Sequence, residues 1–251
     1  MEIKSVSFVL TSCNRFDLLE ETLESFFKFN TYPIAQYILI EDSHNVSKLM
    51  SVINKFKDVD FLILSNDPQL GQMKSIDRAY AQVTSDYIFH CEDDWEFYCE
   101  GFIEDSFKVL DSDEKVVTVW LREQGDTNDH PIEPELFHCK DPLGRCYQIM
   151  QRNHQRRPGA QFWHGFTLNP GLRRRKDFQL IAPVGEMNGE SSMSDVYHQH
   201  GFKGAIFPTG YVRHIGYHRG VRYKVGHSRL AKDFFMGWRR LKAKCCQLLG
   251  I

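Results

Sequence analysis

One stretch of the sequence decides the fold: Tyr87-Ile88-Phe89-His90-Cys91-Glu92-Asp93-Asp94-Trp95. Its first residues are mostly apolar and predict a buried strand, and three consecutive carboxylates follow directly. Adjacent anions repel one another, so a strand end rarely carries three of them unless a cation offsets the repulsion. A divalent metal that holds a phosphorylated substrate is such a cation. The alternative is a solvated acidic turn before the next helix.

Three strand–helix units precede this stretch. Strand followed by helix, repeated at this spacing, predicts a parallel sheet built from crossover connections. The predicted strands are Val6–Leu10, Tyr37–Ile40, Phe61–Leu64 and Tyr87–Phe89, and the predicted helices are one capped by Asp17, Val46–Phe56 and Gly71–Val83.

A polar cluster follows each of these four strands. Because ligands of such sheets bind beyond the carboxyl ends of the strands, we expect the four clusters to meet at one edge. The alternative is that each cluster is a separate solvated loop. The clusters are Thr11–Arg15, Glu41–Ser43, Asn66-Asp67 and Glu92–Asp94.

The second half of the chain has a weaker pattern. Residues 125–157 lack a sustained period, which favours a functional loop or lid. Around them the sequence predicts helices over Phe102–Leu110 and Ser194–His200, and strands over Val116–Leu121, Gln161–Leu168 and Ala205–Phe207.

Composition excludes several classes of function. The 251 residues carry 31 basic and 33 acidic side chains, so there is no positive excess for general nucleic-acid binding. The seven cysteines form no CxxC pair, which favours reduced thiols. No secretory signal peptide is predicted, and no segment approaches the ~20 apolar residues that span a bilayer. We therefore expect a cytoplasmic protein, with peripheral contact at a membrane surface as an alternative.

Seven segments, taken in order, carry a resemblance to a known family. They are Phe8–Arg15, Ile38–Ser43, Leu70–Ser75, Phe89–Trp95, Trp163–Gly171, Gly189–Phe202 and Val212–Gly216. The sequence resembles the GT-A glycosyltransferases of the family 2 type. The resemblance implies an α/β GT-A fold with a Rossmann-like mixed sheet flanked by helices. It implies one domain over residues 1–220, with a nucleotide-sugar-binding half (1–100), an acceptor-binding half (101–220), and then a tail (221–251).

The resemblance also implies an activity. This is a metal-dependent, inverting transfer of a sugar from a UDP-, dTDP- or GDP-sugar, with Mn²⁺ or Mg²⁺, to a hydroxyl of a glycan or lipid-linked glycan. One alternative is a sugar-phosphate nucleotidyltransferase, which normally carries a glycine-rich loop after the first strand, whereas Thr11–Arg15 contains no glycine. Another is a non-catalytic nucleotide-sugar or glycan-binding module, which would lack the metal motif or the general base.

By position in the DxD-like motif of the family, Asp94 is the expected metal ligand. His214, in the late His-Ile-Gly element, is expected to bind the metal or the diphosphate. Glu92 stands where the motif usually has Asp, and we expect it to contact the ribose or a metal-bound water. Asp93 is assigned to the donor site without a firm role, since alternate residues of a strand end face opposite sides.

Other residues are assigned to the nucleotide-sugar pocket. Asp42 is expected to bind the nucleotide base, or alternatively to cap the next helix. Thr11, Asn14 and Arg15 are expected to line the pocket, although Arg15 has a surface pairing with Asp17 or Glu20 as its alternative. Gln72 and Lys74 are also assigned to the donor. Lys74 and Arg78 face either the diphosphate or solvent.

Inversion requires a carboxylate that removes the proton of the acceptor hydroxyl. The resemblance places this base at Glu190, eleven residues before Gly201, with Asp195 as the second choice.

Two segments suggest the acceptor. The run Arg173-Arg174-Arg175-Lys176, with Arg152, Arg156 and Arg157, either clamps an anionic acceptor or forms a solvated basic loop. Trp163 and His164 either form a sugar platform or pack in the core. The tail at 221–251 has a basic amphipathic pattern, which predicts a helix that lies on a membrane, on the domain or on a second subunit.

Overall fold

The computed structural model describes residues 3–140, 144–152 and 163–216. By its internal contacts the chain divides into two units, Met1–Ile215 and Gly216–Ile251. The second unit lies almost wholly outside the described residues. The predicted basic helix at 221–251, and Arg156 and Arg157, also lie outside them.

The described residues form eleven strands and six α-helices. The strands are β1 (Val6–Ser12), β2 (Gln36–Glu41), β3 (Phe61–Ser65), β4 (Tyr87–Glu92), β5 (Trp95–Phe97), β6 (Val116–Trp120), β7 (Phe137–His138), β8 (Cys146–Ile149), β9 (Gly171–Arg174), β10 (Lys203–Ile206) and β11 (Val212–His214). The helices are α1 (Phe16–Phe29), α2 (Val46–Ile53), α3 (Gln72–Tyr80), α4 (Phe102–Ser112), α5 (Arg175–Gln179) and α6 (Glu190–Gln199), and a 3₁₀ turn covers Gln124–Asp126.

The main sheet has five strands in the order β3-β2-β1-β4-β9. The first four are mutually parallel, and β9 joins antiparallel, with Ile88 of β4 opposite Arg173. A second sheet has the order β6-β10-β8-β7, and β5 pairs with β11 in a two-stranded ribbon. Both larger sheets are therefore mixed.

The central strand β1 is buried along its whole length. Its side chains alternate between faces, so Phe8 and Leu10 belong to one hydrophobic cluster and Val9 to another. Burial on both faces is what an α/β sheet covered by helices requires, and it explains the near-continuous apolar run in the sequence.

Sequence periodicity located β1 to β4 and α1 to α4, but several predicted boundaries were wrong. Helix α1 begins at Phe16, so Asp17 lies in its first turn and is not its N-cap. Residues 163–168 form no strand, and the strand instead begins at Gly171. Helix α6 begins at Glu190, four residues before the predicted start. The part of 125–157 that is described contains β7 and β8 rather than loop alone.

The described residues hold five free thiols, at Cys13, Cys91, Cys99, Cys139 and Cys146. Among the described helices, none has the length and apolar character needed to cross a bilayer.

Candidate active site

Asp93 ties the loop after β1 to the end of β4. Its carboxylate accepts hydrogen bonds from the Ser12 hydroxyl (3.0 Å) and the Cys13 N–H (3.2 Å), and it forms an ion pair with Arg15. Its side chain is fully buried, and this burial raises its pKa to about 6 despite the opposing charge of Arg15. Asp93 therefore anchors the loop from inside the protein.

Glu41 joins the loops after β1 and β2. Its carboxylate accepts the Asn14 N–H at 2.7 Å and the Ser43 N–H at 2.7 Å. Asn14 has a φ of 55°, in the left-handed region that asparagine tolerates better than most residues. Glu41 has no individual role that its sequence position predicts, although its place at a strand end indicated that it would lie at this edge.

Asp42 organises the loop between β3 and α3. Its Oδ1 accepts from Asn66 Nδ2 and from the Leu70 N–H, both at 2.7 Å, and its Oδ2 accepts the Gly71 N–H at 2.8 Å. The alternative role as a cap for α2 is wrong, because Asn45 is the N-cap. Through Asn14, Glu41 and Asp42, the polar clusters after the first three strands are joined, and Asp93 joins the fourth. The predicted convergence at one edge is confirmed.

Asp94 and His214 meet at the same edge. Asp94 Oδ2 lies 3.0 Å from His214 Nε2 and also pairs with Arg15. The β5–β11 ribbon sets this contact by placing His214 opposite Trp95. Although burial acts to raise it, the hydrogen bond to His214 and the charge of Arg15 bring the pKa of Asp94 below its usual range. Arg15 pairs with Asp93 and Asp94 instead of taking its surface alternative, and Glu20 pairs with Lys55.

The Asp94–His214 pair has the chemistry of a partial metal site. Within the described ranges, no group of three or more His, Cys, Asp or Glu side chains is placed to hold a metal ion. The carboxylate suits Mn²⁺ or Mg²⁺ where the ion takes most of its oxygens from water and substrate phosphates, and the imidazole nitrogen favours a transition metal such as Mn²⁺ over Mg²⁺. The residues therefore fit a divalent ion that arrives with a diphosphate.

Glu92 lies beside this pair and is held by α3. Its Oε1 accepts from Gln72 Nε2 at 2.6 Å. Burial, and then the charges of Asp94 and Glu190, raise the pKa of Glu92 well above its ordinary value. The charge of Glu190, at the start of α6, thus acts on a carboxylate at the end of β4.

Glu190 is the first residue of α6, where the helix dipole favours an anion. Its Oε2 accepts the Leu168 N–H at 2.7 Å and the Thr167 hydroxyl at 3.2 Å. Burial raises the pKa of Glu190, against these two hydrogen bonds and the charge of Arg173. The carboxylate is thus oriented by a segment that precedes β9.

Asp195 lies one turn further along α6 and has a different partner. Its Oδ1 is 2.7 Å from His164 Nε2, and the His164 ring stacks on His198 with centroids 3.8 Å apart. Burial and then His198 lower the pKa of His164, against the effect of Asp195. Asp195 is therefore paired with a histidine, whereas Glu190 is held by neutral donors.

Three further residues that were predicted to lie near the donor are found close to the same strand ends. Thr11 is buried near the end of β1. Lys74 is half-exposed and pairs with the exposed Glu186 at 3.0 Å. Arg78 binds the Ser65 carbonyl and the Asn66 side chain, so its guanidinium supports the end of β3.

Both interpretations of the basic run fail at its first two residues. Arg173 and Arg174 lie in β9 and are 1% and 6% exposed, so they form neither a surface clamp nor a solvated loop. Trp163 is likewise a core residue, since it is 1% exposed and stacks on His130 at 3.9 Å. It offers no open platform for a sugar.

A family model described as Glycosyl transferase family 2 matches residues 7–177. The chain belongs to this family. The match covers the four polar clusters at the ends of β1 to β4 and also β9, and it ends before Glu190. No curated protein sequence matches the chain significantly.

Solved structures share the fold at low sequence identity. A mannosyltransferase, PcManGT from Pyrobaculum calidifontis, in complex with GDP-Man and Mn²⁺, superposes with a TM-score of 0.57 at 14% identity, covering 83% of this chain and 56% of its own. TarS 1-349 from S. aureus gives 0.56 at 12%, covering 83% and 59%. GalNAc-T7 with UDP, GalNAc and Mn²⁺ gives 0.57 at 13%, covering 85% and 44%.

These similarities confirm the predicted α/β fold of the GT-A type. The chain spans between 44% and 59% of the length of these three structures, which are longer than it is. The chain is thus a family 2 glycosyltransferase domain.

Proposed function

We propose that this domain is a metal-dependent, inverting glycosyltransferase that moves a sugar from a nucleotide-diphospho-sugar to a hydroxyl of a glycan or lipid-linked glycan. One observation carries the proposal: Asp94 contacts His214 at 3.0 Å at the strand ends, where Glu92 also lies and where the charge of Glu190 acts on Glu92. A candidate base and a candidate donor site therefore share one site. Two of the similar structures are complexes with GDP-Man or UDP together with Mn²⁺, which supports a donor of this class.

The proposed donor site uses the residues at the strand ends. Asp94 and His214 would hold Mn²⁺ or Mg²⁺, which when bound supplies Lewis-acid stabilisation of charge on the departing diphosphate. Glu92, positioned by Gln72, is assigned to the ribose. Asp42 orders the loop from Asn66 to Gly71, which we assign to the nucleotide base together with Thr11.

The proposed transfer is a single displacement. The acceptor hydroxyl oxygen forms a bond to the anomeric carbon as the bond from that carbon to the diphosphate breaks, and the bonding pair leaves with the diphosphate. The hydroxyl proton passes to Glu190. Since Oε2 of Glu190 holds Leu168 and Thr167, we assign Oε1 to the acceptor.

The first test is a thermal-shift screen of UDP-, dTDP-, GDP- and CMP-sugars with and without Mn²⁺. Stabilisation by one nucleotide that depends on Mn²⁺ is expected, because a ligand that binds only the folded state raises the melting temperature. Absence of any metal-dependent shift with every donor would reject the metal-dependent donor site.

The second test separates an enzyme from a non-catalytic binding module. Glu190→Gln should bind the stabilising donor as the parent does, while sugar transfer or slow donor hydrolysis falls by about 10²–10⁴-fold. Asp195→Asn is the matched variant on the same helix, and it should retain most turnover. If Glu190→Gln is fully active and Asp195→Asn is not, the base is Asp195.

A further inference from the structure

Arg173 is a buried cation whose hydrogen bonding is incomplete. It is 1% exposed, and its Nε and Nη1 make no well-formed hydrogen bond within the described residues, although the Tyr80 hydroxyl lies close enough to interact with the guanidinium. Its Nη2 reaches the carbonyls of Thr167 and Asn169 through long contacts of 3.4 and 3.5 Å. A guanidinium removed from water in this way costs several kcal/mol unless other groups compensate it.

The next residue shows what a structural arginine looks like in the same strand. Arg174 donates to the carbonyls of Leu110 and Val116, and it pairs with Asp177 at 3.0 Å. Its charge is thus matched by a carboxylate and several carbonyls. Arg173 points to the opposite face of β9, because neighbouring strand residues alternate.

The surroundings of Arg173 are mainly aromatic. Its guanidinium lies 5.2 Å from the ring centroid of Phe166, a cation–π distance. Its charge also acts on Tyr80, Tyr197 and His90, and burial together with this charge moves the pKa of His90 well below its ordinary value. His90 is therefore neutral, and none of these neighbours supplies a negative charge that could pair with Arg173.

The contacts of Arg173 lead to Glu190. Thr167, whose carbonyl accepts from Arg173, donates its hydroxyl to Glu190 Oε2, and the Leu168 N–H donates to the same oxygen. Arg173 therefore holds the short segment that orients the candidate base.

We propose that Arg173 is the positioning residue of Glu190: it holds Thr167–Asn169 around the carboxylate and places a buried positive charge near it. The inference rests on the proposed function, in which Glu190 is the base. The groups that act on Glu190 are the Leu168 N–H, the Thr167 hydroxyl, Arg173 and the Trp163 indole, and Glu92 faces it from β4.

The test measures unfolding free energy against pH for the parent, Glu190→Gln, Arg173→Gln and the double variant. The folded-state pKa of Glu190 is raised, so its contribution to stability is present below the unfolded pKa and is lost as pH rises through the folded pKa. The difference between parent and Glu190→Gln should show this loss. With Arg173→Gln the loss should move to higher pH by about one unit, since the carboxylate then lacks its cation.

Two lysine variants separate positioning from ordinary structure. Arg173→Lys keeps the positive charge but not the forked guanidinium. The pH at which the stability contribution of Glu190 is lost should therefore stay the same, while kcat falls about tenfold with an unchanged donor KM. Arg174→Lys should lower stability evenly across pH and leave kcat unchanged. If Arg173→Gln does not fold, the kcat of Arg173→Lys alone tests the inference.

A pH midpoint unmoved by Arg173→Gln, or an unchanged kcat in Arg173→Lys, overturns the inference. The stability titration needs no turnover, so its outcome is independent of the proposed function. A protein that shows the coupling but transfers no sugar would contradict the function and support the pairing of Arg173 with Glu190.

Discussion

His214 Nε2 lies 3.0 Å from Asp94 Oδ2, although 120 residues separate the two in sequence. The contact is made by pairing β11 with β5 and is reinforced by a backbone hydrogen bond from the Ile215 N–H to the Asp94 carbonyl at 2.9 Å. Strand β11 thereby brings His214 to the carboxylates at the end of β4. Arg15 contacts the same carboxylate oxygen, so its guanidinium competes for Asp94 with any metal ion.

Because Asp94 and His214 form one site, their substitutions should be non-additive. Asp94→Asn should abolish Mn²⁺-dependent donor binding and lower kcat/KM by about 10²–10³-fold. His214→Ala should weaken Mn²⁺-dependent binding, and the double variant should be no worse than Asp94→Asn alone. Titration calorimetry with the donor identified by the screen, in the presence and absence of Mn²⁺, measures each effect.

Glu96→Gln is the matched control in the same ribbon. Glu96 pairs with the exposed Arg213, and surface pairs contribute little, so donor binding should not change. Fully additive losses in Asp94→Asn and His214→Ala would show that the two side chains act independently.

Asp42→Asn should loosen the loop that precedes α3. An amide oxygen cannot replace both carboxylate oxygens, so the N–H groups of Leu70 and Gly71 would compete for one acceptor. The expected cost is about 1–3 kcal/mol of unfolding free energy, with a raised donor KM. Urea denaturation and donor kinetics measure the two effects.

Asn45→Ala provides the comparison for Asp42. It removes the cap of α2 and should cost about 1 kcal/mol without a change in donor KM. Equal donor KM values in the two variants would argue against a role for the loop from Asn66 to Gly71 in donor binding.

The pH profile of kcat/KM should fall on the acidic side with a midpoint above 4.5, the ordinary carboxyl pKa of glutamic acid. The reason is that burial raises the pKa of Glu190, and the protonated acid cannot accept the acceptor's proton. Initial rates at saturating Mn²⁺ across the acidic range measure the midpoint. Asp195→Asn should keep the same limb, and a limb that disappears in that variant would transfer the role to Asp195.

Gly204→Ala should be strongly destabilising. A Cβ at Gly204 would overlap the Gly165 carbonyl oxygen, which also accepts from Trp120 Nε1 at 2.9 Å. The backbone must shift, at an expected cost of about 3 kcal/mol. Gly125→Ala is the control, because no atom lies within 4 Å of its Cβ position. Urea midpoints compare the two, and similar midpoints would show that the segment around Gly165 adapts.

Prediction from sequence worked where a pattern is local and long. Strands β1 to β4 were located within three residues at either end, because their apolar runs alternate with amphipathic helices. The short strands β5, β7, β9 and β11 have two to four residues each and no period of their own. Strands β5, β9 and β11 exist because a strand distant in sequence supplies their hydrogen bonds, and β7 pairs with the nearby β8.

The same limit applies to charged side chains. Arg173 and Arg174 have the composition of a solvated basic run, and residue type alone favours exposure. Their burial follows from the addition of β9 to the edge of β4, which turns one arginine toward Phe166 and the other toward Asp177.

Local pattern was thus sufficient for the parallel direction of β1 to β4 and for the edge at which carboxylates collect, because both depend on residues close in the chain. The tertiary structure decided which partner each of the three consecutive carboxylates, Glu92, Asp93 and Asp94, contacts. Asp93 turns inward to the loop after β1, Asp94 meets His214, and Glu92 is held by Gln72. Each partner comes from a different and distant segment, and only packing in three dimensions brings these segments together.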